Sequence, residues 1–423
     1  MSSPRLVALV SARFFYGWMI VGVGMLGLFI SGAGQSHTFS VFLGPVSEEL
    51  GLTQTQWGFA YGFATLLAAF GLPFMGRLTD RFGPRRMLLI IVSLLGVACF
   101  AFGALAGALS LGLAFAALRF LGQGSLMLNS SNLVSRWFAQ KRGFALGLMA
   151  LGFSVSMAVH PPLSQWLIEQ VGWRQAWVWI GVSTWVLMLP VIWFVVYNRP
   201  HDIGLTPDGV APDAEEESKA TRSGAEPALK GLTRAQALRT PAFYIICGGL
   251  LSLSMLVTSL HLFQVSIFES HGLDALIAAR VFPVSAITMV IAMPLIGKAL
   301  DRFPTRFMFA FGQLVMVSSL LLASNVSDTS SALLYAAVFG LNNAVTMTLF
   351  SYVWPRFFGL AHLGSIQGIG QMVGVVGASI GALPLAIAFD LTGDYDTTLA
   401  MLTLLPAVCF VLAFFLKPPL EQH

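Results

Sequence analysis

Charge is what this chain has least of. Only 10% of its 423 residues are Asp, Glu, Lys or Arg, against about 25% in an ordinary soluble domain. Apolar residues make up 56%, and the mean hydropathy is +0.79. A soluble chain of this length could not hide that much apolar surface behind so little charge. Cysteine is nearly missing. Cys99, Cys247 and Cys409 each stand alone in an apolar run with no paired spacing, so neither a disulfide framework nor a zinc site is implied. No Asp or Glu falls well inside an apolar run, so the acid/base and metal constellations of an enzyme are lacking. The Gly-rich stretches follow no strand, so they are not nucleotide fingerprints. The net charge of +4 is spread over short loops and does not form the basic face that nucleic acid requires. The N-terminus has no signal-peptide pattern.

Long apolar runs are what the chain does have. Runs of about 18 residues or more can cross a bilayer as helices. Twelve are placed near 14–42, 54–75, 86–107, 109–134, 143–166, 174–197, 241–268, 275–297, 305–325, 331–354, 362–388 and 397–416. One long polar stretch, 199–240, has the composition of a linker. The expected organisation is an N-terminal half at 1–198, a cytoplasmic linker at 199–240 and a C-terminal half at 241–423. A charged run also occurs twice. Gly76-Arg77-Leu78-Thr79-Asp80-Arg81-Phe82-Gly83-Pro84-Arg85-Arg86 returns as Gly297-Lys298-Ala299-Leu300-Asp301-Arg302-Phe303, with Arg306 following. Such a repeat between apolar spans points to two similar halves, an architecture of carriers far more than of enzymes. The fold class is therefore an all-α membrane protein, with twelve helices in two six-helix halves.

With the N-terminus inside, 20 of the 23 Lys and Arg residues fall on the cytoplasmic side, all but Arg119, Arg174 and Arg280. The opposite loops carry mainly acids, among them Glu48, Glu49, Glu269, Asp390 and Asp394. This bias places both termini in the cytoplasm.

The two charged runs resemble the loop 2–3 and loop 8–9 signature of the major facilitator superfamily. The second copy departs from it, with Pro304 and Thr305 where the glycine would stand. Arg119-Phe120-Leu121-Gly122-Gln123-Gly124 resembles that family's fourth-helix motif. Within the family, Tyr16-Gly17-Trp18, the run from Arg136 to Gly147, and the segments Arg199 to Gly209 and Leu232 to Thr240 resemble the oxalate–formate antiporter and monocarboxylate porter group. The likeness covers essentially the whole chain. It implies a carrier in the plasma (inner) membrane that moves a small organic solute by alternating access, with a monocarboxylate or related organic anion as first choice and a proton symport as one mode. The expected partners are the solute, the bilayer and protons. No nucleic acid, cofactor, metal or enzymatic activity is expected, and the working unit is expected to be a monomer. The alternatives are a carrier of a neutral or amphipathic compound and, more remotely, a transporter-like receptor.

Polar groups inside spans are costly and usually functional. Arg119 lies about halfway along the fourth span, with Gln123 one turn on. It is read either as an anion-binding or coupling charge, or as a brace for its own helix. Arg280, in the outer third of the eighth span, is read as snorkelling. Helical pairs add candidates for binding: Asn129 with Asn132, His261 with Gln264, and Gln367 with Gln371. Gln35 and His37 lie on the first span, and Asn342 and Asn343 on the tenth. Some of these amides are expected to serve as interhelical glue instead. Coupling candidates are His37 and His261, with His160 behind them, since only histidine titrates near working pH here. Gating falls to Asp80, Arg81, Arg85, Asp301 and Arg302, as a lock at the cytoplasmic mouth. One departure matters. The resembling porters carry an arginine in helix 8, where this chain has Met293, and Met289 stands in the place of the acidic partner. The C-terminal half thus lacks the usual carboxylate anchor.

Overall fold

The computed structural model describes residues 14–138, 141–209, 232–359 and 363–417. Eleven of its helices are long and apolar enough to cross a membrane. One of them, Phe144–Val195, has 52 residues. At ~1.5 Å per residue it would be about two and a half times as long as a bilayer core is thick. It is broken at Gly172, whose φ of 77° and ψ of 159° are not helical. Gly172 thus turns one apparent helix into two crossings, which gives the twelve that the apolar runs call for.

In chain order these are α1 (Gly17–Leu50), α2 (Gln54–Phe82), α3 (Pro84–Gly103) and α4 (Ala108–Trp137). Helices α5 and α6 divide Arg142–Val195 at Gly172. Then come α7 (Pro241–Ser270), α8 (Ala275–Arg302), α9 (Thr305–Ala323) and α10 (Thr329–Phe358). Helix α11 joins Leu363–Gly381 to Leu383–Thr392, and α12 is Asp396–Ala413. The short helix Arg234–Ala237 precedes α7. Local chemistry sets the ends. Thr53 and Gln56 form a capping box that starts α2, and Gly51 (φ 60°) ends α1 in the left-handed region. Asp274 caps α8. Thr240 caps α7, ahead of Pro241 at its first position.

The up-and-down course creates two ends. One carries Phe14, Lys417 and the described residues that follow α6 and precede α7. The other, called distal here, carries the turns near Gly51, Gly172, Gly272 and Gly393. In the N-terminal half the distal core is aromatic, built from Phe39, Phe42, Trp57, Phe102, Phe115 and Trp177. Glu49 ties the turns above it together, accepting from Arg174 Nε at 2.8 Å and Trp173 Nε1 at 2.6 Å. Phe63 and Phe70 on α2 are 71% and 72% exposed, as a lipid-facing side would be.

Hydrogen bonds between the halves cluster toward the distal end. The Gln54 and Thr55 amides at the start of α2 donate to the Asp390 carboxylate of α11 at 3.1 and 2.6 Å. Ser379 Oγ donates to the Gly62 carbonyl at 2.5 Å. The Val265 amide donates to Ser40 Oγ at 3.2 Å, and the Tyr395 hydroxyl donates to Gln54. Gly58 and Gly62 permit this approach. A Cβ on Gly58 would lie 2.5 Å from the Ala382 carbonyl, and one on Gly62 2.6 Å from that of Ser379.

Candidate functional site

Irregular backbone marks the middle of the N-terminal half. Helix α1 is α-helical to Ile30, tightens into a 3-10 turn over Ser31–Gly34, and passes through extended Gln35 (φ −102°, ψ 150°) before resuming at Ser36. Helix α4 is a π-helix over Arg119–Leu126. Such π segments are rare and often sit at functional sites. Non-helical backbone at membrane depth is tolerated only where protein buries it or a cavity adjoins it. Here the two irregular segments face each other. A Cβ on Gly34 would meet the Leu118 carbonyl at 2.3 Å, and Gly34 Cα lies 3.2 Å from a Cβ built on Gly122.

Arg119 stands at this crossing, 2% exposed. Its Nε donates to Thr65 Oγ1 at 3.0 Å, and Nη1 donates to the Gly34 carbonyl at 3.0 Å. The guanidinium lies 4.8 Å from the centre of the Tyr61 ring, and the buried Tyr61 hydroxyl has no hydrogen-bond partner. Every one of these partners is neutral. Two of the guanidinium's five donors are engaged, and no carboxylate among the described residues pairs with it. Tyr61 and Thr65 were not singled out in the sequence. Their spacing of four on α2 was the available signal.

The C-terminal half contributes polar groups from unbroken helices. Asn343 Nδ2 donates to the Phe339 carbonyl at 2.9 Å and lies 3.5 Å from His261 Nε2. Phe339 stands edge-on to His261, with ring centres 4.7 Å apart. Both side-chain polar atoms of Asn342 are enclosed without a partner, as is Thr346 Oγ1. Across the seam, the His37 ring lies 6.1 Å from that of His261 and 6.4 Å from Phe282. Ser156 Oγ is 3.5 Å from His37 Nε2 and 3.2 Å from His160 Nδ1, while His37 Nδ1 has no partner. The seam thus sets His37 against His261, with Asn343 beside His261, while Arg119 holds Gly34 at the break in α1 that precedes His37.

Other candidates are committed elsewhere. Asn129 accepts from Thr79 Oγ1 at 2.8 Å and donates to the Ser125 carbonyl at 2.9 Å, joining α4 to α2. Asn132 accepts from Arg136 Nε at 2.7 Å. Gln264 donates to the Ala278 carbonyl at 3.1 Å and accepts from Tyr335 at 3.4 Å, joining α7 to α8 and α10. Gln35 Nε2 has a weak contact with Met127 Sδ at 3.4 Å. The side chains of Gln367 and Gln371 lie outside the described residues, as do those of Asp80 and Asp301. Arg81 packs on Phe82 at 5.2 Å. Arg85 donates to the Trp193 carbonyl at 2.6 Å, within its own half. Arg302 and Arg280 are exposed. In α8, Met289 is buried and Met293 partly so.

The chain matches the model of the Major Facilitator Superfamily over residues 24–382 and again over 267–422. The chain belongs to the major facilitator superfamily. It is therefore an integral-membrane transporter of small organic solutes and not an enzyme. Among superfamily relatives, rat Monocarboxylate transporter 13 is 27% identical over 399 residues, covering 90% of this chain and 85% of its own. The Oxalate:formate antiporter of Oxalobacter formigenes is 25% identical over 238 residues, 56% of this chain and 51% of its own. The fold is that of a solved bacterial homolog of the human lysosomal transporter Spinster, with a TM-score of 0.69 at 16% identity, covering 94% of this chain and 95% of that one.

Proposed function

We propose that this superfamily member carries a monocarboxylate or related small organic anion by alternating access, with Arg119 as its anchor. The observation that carries this reading is a buried guanidinium at membrane depth whose partners are all neutral. A charge there is costly unless it is paired. Thr65, Gly34 and the Tyr61 ring ease that cost without cancelling the charge, and an anionic solute would. The unpartnered Tyr61 hydroxyl, on the ring beside the guanidinium, is a further donor that a bound carboxylate could use. Relatives named for oxalate, formate and monocarboxylates are in keeping with this cargo.

Proton symport falls to His37 and His261, which face each other across the seam. The charge bias of the loops supports cytoplasmic termini and a distal end outside, and the proposed setting is the plasma (inner) membrane. The gating residues Asp80, Arg81, Arg85, Asp301 and Arg302 would then act at the cytoplasmic mouth, in the state where that mouth closes. The linker between the halves is 199–240. A second reading, carriage of a neutral or amphipathic compound, is favoured by Met289 and Met293 in α8, since soft methionine walls suit such solutes.

The test is a thermal-shift panel on purified protein with lactate, benzoate and their uncharged amides. A solute that binds the folded carrier raises its melting temperature with dose. The carboxylates are expected to stabilise the wild type and to lose that effect in Arg119→Gln. Stabilisation by the amides alone would replace this reading with the neutral-cargo one.

A further inference from the structure

The break in α1 leaves a backbone carbonyl without its helical partner. In an unbroken helix the Gly34 carbonyl would accept from the Thr38 amide. Here the Thr38 amide donates to the Gln35 carbonyl at 3.1 Å, and the Phe39 amide to the same oxygen at 3.3 Å. The Gln35 amide and the Thr38 hydroxyl both turn back to the Gly32 carbonyl, at 3.0 and 2.7 Å. Gly34 is left facing α4, where Arg119 Nη1 supplies the missing donor. Buried backbone carbonyls at membrane depth need such a partner. The guanidinium therefore does two things at once: it is the charge available for an anion, and it satisfies the bent form of α1.

The segment beyond the break is the part of α1 that meets the other half. His37 faces His261, and Ser40 Oγ receives the Val265 amide of α7. A Cβ built on Gly44 would lie 3.9 Å from Glu269 Oε2. A change in the bend at Ser31–Gln35 would move this segment as a unit and with it the distal seam.

We infer that Arg119 is a two-position switch, resting on the Gly34 carbonyl when the site is empty and turning to the carboxylate when the site is filled. The inference rests on the anchoring role proposed for Arg119. A carboxylate is a stronger acceptor for a guanidinium than a neutral carbonyl is. Once the guanidinium turns, Gly34 is left unsatisfied, and the Thr38 amide is the donor that a regular helix would supply to it. Re-forming that bond carries α1 helically through Gly34 and swings the Ser36–Leu50 segment away from α7. Anion binding is thereby tied to parting of the distal end, through a position of Arg119 that only this break provides. Thr65, which holds Nε, sets how firmly the resting position is kept.

The experiment measures distances between spin labels on Glu48→Cys in α1 and Ser270→Cys in α7, in protein whose own cysteines are replaced by Cys99→Ala, Cys247→Ala and Cys409→Ala. Melting temperatures are recorded in parallel with lactate and benzoate as probes. Adding the carboxylate is expected to transfer population from a short to a longer distance. Arg119→Gln is expected to show the longer population with no ligand, because Gly34 has lost its donor. Thr65→Val, which keeps the arginine and its charge, is expected to show a smaller shift in the same direction and decides the matter if Arg119→Gln does not fold. A carboxylate that raises the melting temperature through Arg119 but leaves the distances unchanged overturns the switch and leaves the anchor standing. Ligand-free Arg119→Gln and Thr65→Val with the wild-type distribution also overturn it. A panel in which no carboxylate stabilises the protein removes anchor and switch together.

Discussion

In the N-terminal half, α1 and α4 both lose regular helical geometry at mid-depth, and the one deeply buried arginine among the described residues sits where they cross. In the C-terminal half, α7 and α10 run unbroken over Pro241–Ser270 and Thr329–Phe358 and offer neutral amides, an imidazole and aromatic rings. Repeated six-helix units would allow matching sites on both sides, and this chain has not kept them matched. The contrast suggests a division of labour. Charge and irregular backbone on one side would grip an anion, while a regular surface of neutral groups on the other would close over it. It also suggests why α8 can hold methionine where the resembling porters hold arginine.

The comparison breaks most completely if the anchor is removed. Arg119→Gln should lower carboxylate affinity about 100-fold or more, the scale expected when a charge-assisted contact of ~3 kcal/mol is lost, and binding titrations would show it. The next effect sharpens the role of close packing between the halves. Gly58→Leu would drive a side chain into the Ala382 carbonyl. Overpacking of this kind costs about 1–3 kcal/mol, so uptake into proteoliposomes should fall ~10-fold or more while binding persists.

Protonation would act on the seam itself. Two imidazolium rings 6.1 Å apart repel by about 3 kcal/mol at an effective dielectric of ~20. Acid should therefore favour parting of the halves, and uptake should rise as external pH falls. Gln in place of either His37 or His261 should flatten that profile. A smaller effect is expected at the distal latch. Asp390→Asn keeps an acceptor but loses the charge at the start of α2, worth ~1 kcal/mol. Maleimide labelling of Ser47→Cys, in the cleft beside Glu48 and Glu269, should speed up roughly fivefold. The smallest change is at Asn129, whose amide ties α4 to α2. Asn129→Ala should cost about 1 kcal/mol of stability and leave the preference for carboxylates unaltered, as read by melting temperature with and without benzoate.

Much of the architecture is legible in the sequence because a bilayer imposes it. Twelve apolar runs and a repeated charged loop are visible without coordinates, and Gly172 accounts for the one place where eleven long helices stand for twelve crossings. Arg119 is legible because a charge in an apolar run has few innocent explanations. Its surroundings are not. Ser31-Gly32-Ala33-Gly34 permits a break without dictating one, since small residues serve tight helix packing equally well. The π register of α4 depends on what faces it, and hydropathy does not record that. The amides divide on tertiary grounds alone. Asn129 and Gln264 find partners on neighbouring helices, whereas Asn342 does not. The lock expected at the Asp80 loop has its counterpart at the far end, where Asp390 meets the first amides of α2. Which end carries the cross-half bonds belongs to the conformation, and no single sequence encodes only one.

The most direct test of the central claim compares uptake of a carboxylate with uptake of its uncharged amide, in proteoliposomes holding wild type or Arg119→Gln. The account predicts that the wild type takes up benzoate in strong preference to benzamide and that Arg119→Gln loses this preference by losing benzoate. An unchanged preference in Arg119→Gln would contradict it, because the anion would then be held by groups other than the arginine of the N-terminal half.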